Sequence, residues 1–213
     1  MLLFQRKQIH WRTLIQYARQ DAAEWKKEDV QDFNHNARSV NGYRGASTRW
    51  ERPDTGWVKC NVDCTFVDQN THTTAGWIVR DEHGAYKGAA HARGKQVLTV
   101  LESELQGILM ALQHCWSQGH RRIIIEGDNI KAMDLLNDKL LHFSSYNWIR
   151  EIRWWKQKFE QVVFKWIKRE GNKAADKLAK QMLEYQSSFS FYYYVPSFLS
   201  NILHEDYVLS QHH

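Results

Sequence analysis

From Trp57 to Phe66 the chain alternates strictly. Val58, Cys60, Val62, Cys64 and Phe66 take one face, and Lys59, Asn61, Asp63 and Thr65 take the other. That period of two predicts a β-strand with one apolar side. A polar turn at Asp68-Gln69-Asn70 leads to a second strand over Thr73–Arg80, and Asp81-Glu82-His83-Gly84 leads to a third over Ala85–Ala92. Three strands on short turns make an antiparallel meander. The period then changes. Leu101, Leu105, Ile108, Leu112 and Cys115 recur at helical spacing, so a helix runs from about Val100 to Gln118 and stops at Gly119. Ile123-Ile124-Ile125, within Arg121–Glu126, is apolar on both faces and reads as a buried parallel strand. A short helix follows Asp128. A longer one covers Tyr146–Phe159, with Ile149, Ile152 and either Trp154 or Trp155 turned inward. A fifth strand covers Gln161–Ile167 and a last helix Asn172–Tyr185. The order βββαβααβα specifies an α/β fold: a mixed five-stranded sheet flanked by helices.

No proline falls between Pro53 and Pro196, which suits one continuous domain over residues 49–186. Residues 1–48 end in a polar stretch, NHNARSVNGYRGAST, and read as an N-terminal helical and linker segment. Residues 187–213 form an aromatic C-terminal tail without Lys or Arg. It docks on the domain, meets a partner protein, or is loose; exposed, it would invite aggregation. The hydrophobic fraction of 43%, with ten Trp, argues for a packed core and against disorder. No apolar run of membrane-spanning length occurs, and the N-terminus lacks the features of a secretory signal. Cys60 and Cys64 lie on one strand face roughly 13 Å apart, too far for a disulfide. With Cys115 the three cysteines leave one unpaired in any disulfide scheme, and no zinc-type spacing is present. A reducing, intracellular home is expected, with nucleus and cytoplasm both open. The net charge of +5 is only mildly basic, but Ser144–Lys173 concentrates eight Lys or Arg against three Glu. Such a segment contacts phosphates or is an ordinary solvated helix face.

Four acids stand out, each with a structural alternative. Asp63 sits inside a strand, where an uncompensated buried carboxylate costs on the order of several kcal/mol; otherwise it faces solvent beside Lys59. Thr99 and Glu102 fit a capping box, with Glu102 reaching back to the Thr99 amide. That leaves Glu104 without a structural task, in line with Gly107 and Ala111, small positions that would let the helix approach the sheet. Asp128 follows a central strand and either caps the next helix or serves a site at the strand end. Asp176 lies in the last helix, where Lys173 or Lys180 could pair with it. Taken together, four acids on different elements offer a hard divalent cation the oxygen ligands it needs. Two such ions about 4 Å apart can support phosphodiester cleavage.

Gly56-Trp57-Val58-Lys59-Cys60-Asn61-Val62-Asp63, Glu102-Ser103-Glu104-Leu105-Gln106-Gly107-Ile108, Ile125-Glu126-Gly127-Asp128-Asn129 and Arg169-Glu170-Gly171-Asn172-Lys173-Ala174-Ala175-Asp176-Lys177-Leu178-Ala179 resemble the type 1 ribonuclease H family. The nearest likeness is to plant RNase H-like domains related to the C-terminal part of non-LTR retrotransposon reverse transcriptases, over about residues 50–186. The resemblance implies strand order 3-2-1-4-5 and hydrolysis of the RNA strand of RNA–DNA hybrids with two magnesium ions, for which manganese can substitute. It carries the catalytic, metal-binding carboxylates onto Asp63, Glu104, Asp128 and Asp176. Candidate nucleic-acid contacts are Lys168 and Arg169, with Asn129 and Asn172 either joining them or capping helices. A monomer is expected, with the tail free to make a protein contact. Three departures matter. Cys64 follows Asp63 where plant members often have Gly. Trp166 stands where active members commonly carry a His. The family's basic protrusion is absent, and the basic 144–173 segment either partly replaces it or is a solvated helix face. These departures motivate an alternative: a catalytically weak or inactive, retroelement-derived nucleic-acid-binding module. A third reading makes the tail the working surface of a protein-interaction scaffold.

Overall fold

The computed structural model describes residues 47–140, 144–183 and 187–210, all within a compact unit that begins at Ala46. The segment expected over residues 1–48 lies almost wholly outside the described residues. The elements are β1 (Val58–Thr65), β2 (Thr74–Arg80), β3 (Tyr86–Arg93), α1 (Val100–Ser117), β4 (Arg122–Gly127), α2 (Ile130–Leu136), α3 (Tyr146–Lys156), β5 (Gln161–Trp166), α4 (Lys173–Ala179), β6 (Phe189–Tyr192) and α5 (Ser197–Leu209). A 3-10 turn at Arg169–Gly171 precedes α4. Among the described residues no helix is long and apolar enough to cross a membrane.

The strands form one mixed sheet in the order β5-β4-β1-β2-β3-β6. β1 runs antiparallel to β2, from Lys59↔Arg80 to Thr65↔Thr74, and parallel to β4, from Val58↔Ile123 to Asn61↔Glu126. The first five strands keep the expected order. The sixth is a correction: Phe189–Tyr192 adds an antiparallel strand outside β3, with Ala90 opposite Phe191. Strand-forming aromatics and an otherwise unpaired β3 edge favour that pairing.

One face of the sheet packs against α1, α2 and α3. Cys60, Val62, Leu105, Ile108, Leu112, Ile123, Ile125 and Ile152 are buried there. α4 and α5 cover the other face, where Ile78, Ala89, Ala174, Leu178 and Leu199 form a second core. The polar face of β1 is therefore not wet: Lys59, Asn61 and Asp63 are only 3%, 0% and 6% exposed. Lys59 Nζ lies 2.7 Å from a Glu126 carboxylate oxygen. Asn61 donates to the other Glu126 oxygen at 3.1 Å and accepts from Arg80 at 2.9 Å. Arg80 lies over the buried Trp50 ring and pairs with Asp206 of α5 at 2.7 Å. The tail thus docks on the sheet through both β6 and α5.

α4, the helix expected over Asn172–Tyr185, is shorter than its sequence suggests and ends at Ala179. Ala174, Ala175, Leu178 and Ala179 are buried, but Met182 is almost fully exposed, so the next turn has no apolar surface to pack on. Short helices persist only where packing supports them.

Candidate functional site

Backbone register brings two of the acids together. The β1–β4 pairing ends at Asn61↔Glu126; two further steps along each chain set Asp63 beside Asp128. The N-cap of α2 is Asn129, whose Oδ1 accepts from the Ala132 amide at 3.0 Å. Asp128 is thereby relieved of capping and stands at the end of β4.

Glu104 arrives from α1. Thr99 caps this helix, accepting from the Glu102 amide at 3.2 Å. Glu102 reaches back one residue further than a capping box requires, accepting from the Leu98 amide at 2.8 Å. Glu104 is left to face the sheet, 7% exposed. Its approach depends on Gly107: a Cβ there would stand 2.1 Å from Cys64 Sγ and 3.2 Å from Ala75 Cβ. Cys64 therefore packs its sulfur against α1.

One oxygen each from Asp63, Glu104 and Asp128 can be chosen so that all three lie within 4.8 Å of one another. They open into a cleft of about 820 Å³ that Asp176, Trp166 and Lys168 also line. Burial, then the charge of Asp128, raises the Asp63 carboxyl to about 7. Burial, then Asp63 and Asp128, pushes Glu104 well up. Burial also raises Asp128, with Arg169 opposing it. An all-oxygen group whose members resist ionisation together fits a hard divalent cation, which would supply the missing positive charge.

Asp176 is close by but outside this group of three. Lys180 Nζ holds one of its oxygens at 2.7 Å and Arg169 the other at 3.2 Å. Burial works to raise its pKa, yet these two cations hold it below the ordinary carboxylate value. Its helix reaches the sheet because Gly76, opposite Asp63 on β2, has no side chain. A Cβ at Gly76 would stand 2.2 Å from the Ala179 backbone nitrogen. Sequence reading passed over Gly76, although a glycine inside a strand signals close approach of another backbone.

The expected nucleic-acid contacts divide. Arg169 is exposed and Lys168 half-buried at the cleft. Asn129 caps α2 and also lines the cleft. Asn172 is 1% exposed and donates to the Val62 carbonyl at 3.0 Å. It holds the N-cap position of α4 without a side-chain capping bond, and ties the start of that helix to β1 beside Asp63. Trp166 takes a role not foreseen: its indole N–H donates to the Asp128 carbonyl at 2.9 Å, fixing the turn that carries that acid.

A mixed sheet with helices on both faces, and carboxylates from β1, α1 and the end of β4 converging toward the C-terminal ends of the two interior strands, defines an RNase H-like α/β protein. The profile of the reverse transcriptase-like family matches residues 61–182, and the chain belongs to that family. It is 27% identical over 158 residues, 74% of this chain, to an Arabidopsis thaliana protein provisionally named a ribonuclease H protein. The chain spans only about a quarter of that relative's length (25%). Its fold is similar to the RNase H1 of the halophilic archaeon Halobacterium salinarum, with a TM-score of 0.54 and 17% identity, over 57% of this chain and 93% of that one. LC11-RNase H1, solved in complex with an RNA/DNA hybrid, matches with a TM-score of 0.52 and 17% identity over 57% and 92% of the two chains.

Proposed function

We propose that this chain is a metal-dependent endoribonuclease that hydrolyses the RNA strand of RNA–DNA hybrids. The observation that carries the reading is the convergence of the buried Asp63 and Glu104 and the half-buried Asp128, from β1, α1 and the turn after β4, at an open cleft. Divalent cations held there, magnesium or manganese and two in number, would supply an activated water and neutralise charge developing at the scissile phosphate. Asp63, Glu104 and Asp128 would hold them, with Asp176 joining after releasing Lys180 or Arg169. Released in that way, those two cations would stand at the cleft rim beside Lys168, where phosphate oxygens of the hybrid would meet them. Trp166 keeps Asp128 oriented through the backbone. The products would carry 5′ phosphate and 3′ hydroxyl ends. The chain resembles the hybrid-bound structural neighbour in fold alone, so the substrate class rests on the acids and the family together.

A second reading is a binding module with little turnover. One observation favours it: at the Trp166 position the chain presents an indole already engaged with Asp128, and no titratable side chain. Cleavage of a labelled hybrid in magnesium and in manganese, compared between wild type and Asp63→Asn, separates the two. Cleavage lost in the variant supports the nuclease. Hybrid binding that weakens with salt, without cleavage in either metal, replaces it with the binding module.

A further inference from the structure

Away from the carboxylates, α3 carries a second chemical pattern. Tyr146, Arg150, Trp154 and Lys158 follow one another at intervals of four residues, alternating aromatic and cation. Residues so spaced are neighbours on one helix face. All four are exposed, Tyr146 by 55% and Trp154 by 51%. Arg150 lies 6.0 Å from the Tyr146 ring centre, and Lys158, just beyond the helix end, lies 4.3 Å from that of Trp154. The pattern continues onto the end of α1: Trp154 meets Trp155 edge-on, Trp155 meets Trp116, and Arg121 lies 5.4 Å over Trp116. α3 faces its core through Ile149 and Ile152, so packing does not require Tyr146 or Trp154.

An exposed aromatic backed by a cation offers an open ring face and a positive charge at the same point. We propose that this stripe binds single-stranded nucleic acid, its rings stacking on unpaired bases and its cations meeting the phosphates between them. A duplex keeps its bases stacked on one another and would use only the cations. A second copy of this chain is the competing occupant, since a two-fold antiparallel contact would set Tyr146 against Lys158 and Arg150 against Trp154; its mark would be self-association. Glu104 and Trp116 lie twelve residues apart on α1, about 18 Å along the helix. The Trp116 end of the stripe is thereby set apart from the carboxylate cleft.

The test uses the full chain in chelator, so that its outcome is independent of cleavage. Anisotropy of labelled oligothymidylate and oligouridylate is compared with that of a blunt DNA duplex. The double variant Tyr146→Ala/Trp154→Ala should bind the single strands at least about five-fold more weakly, with duplex binding unchanged. Trp154→Phe, which keeps a ring, should restore most of the affinity lost in Trp154→Ala. Removing Arg150 and Lys158 should flatten the salt dependence by roughly 0.7 per cation. Unchanged single-strand affinity in the double variant overturns the proposal. So does equal loss for strand and duplex, which would reduce the stripe to plain charge, or a loss confined to self-association.

Discussion

A carboxylate buried beside two others resists ionisation, and Asp63 shows the consequence with its pKa raised to about 7. The ordinary value is about 4. Below that, folded and unfolded states are both protonated and the group opposes folding in neither. As pH rises from about 4 toward 7, the unfolded chain ionises first, so the metal-free protein loses stability, on the order of a few kcal/mol across the window. Thermal unfolding in chelator should follow that slope, and Asp63→Asn should flatten it. Added magnesium should raise the melting temperature more at pH 8 than at pH 5. Trp166 acts on the neighbouring acid through a single hydrogen bond to the Asp128 carbonyl. Trp166→Phe should cost about 1 kcal/mol of stability and weaken metal binding, whereas Trp166→His would show whether a titratable group there speeds cleavage. Glu104 was separable from Glu102 in the sequence because only one of them fits a cap. The Lys180 partner of Asp176 was legible as one of two helical pairings, but the second cation was not, because it depends on how Arg169 folds back from the turn before α4.

Elements reach the site through glycines. Gly107 admits α1 and with it Glu104, while Gly76 admits α4 and with it Asp176. Their substitutions should differ in kind. An alanine at Gly107 meets the movable sulfur of Cys64, but one at Gly76 meets the backbone of Ala179. Gly76→Ala should therefore destabilise the fold by about 3 kcal/mol, near the upper end for overpacking, and Gly107→Ala by less. Denaturant midpoints measure both. The alternation of β1, the helical spacing of α1 and the triple-isoleucine β4 were plain in the sequence, because each buries a face with its own period. β6 and α5 were not. Their strand is four residues long, and their helix begins after Pro196 within a run whose apolar residues show no clean period. What organises them is the open edge of β3 and the buried Arg80, features that exist only once the sheet has formed.

At the scale of the whole molecule, the tail completes the second face of the sheet. Arg80 is 2% exposed and would be a buried charge without Asp206. Asp206→Ala should cost on the order of 3 kcal/mol, and deletion from residue 187 onward should cost more by uncovering Ile78, Ala89 and Leu178. Calorimetric unfolding checks both. The same docking leaves Tyr193 and Tyr194 in solvent at 76% and 88% exposure. A cleavage assay would read every part of the proposed reaction, whereas cation binding would read the carboxylates and the turn that holds them. The most direct measurement is therefore a calorimetric titration of the full chain with magnesium and then manganese at neutral pH, for wild type and Asp63→Asn. Saturable binding that releases protons, and is lost or weakened at least ten-fold in the variant, is the predicted result. No saturable binding of either ion, or binding that Asp63→Asn leaves unchanged, would contradict the account.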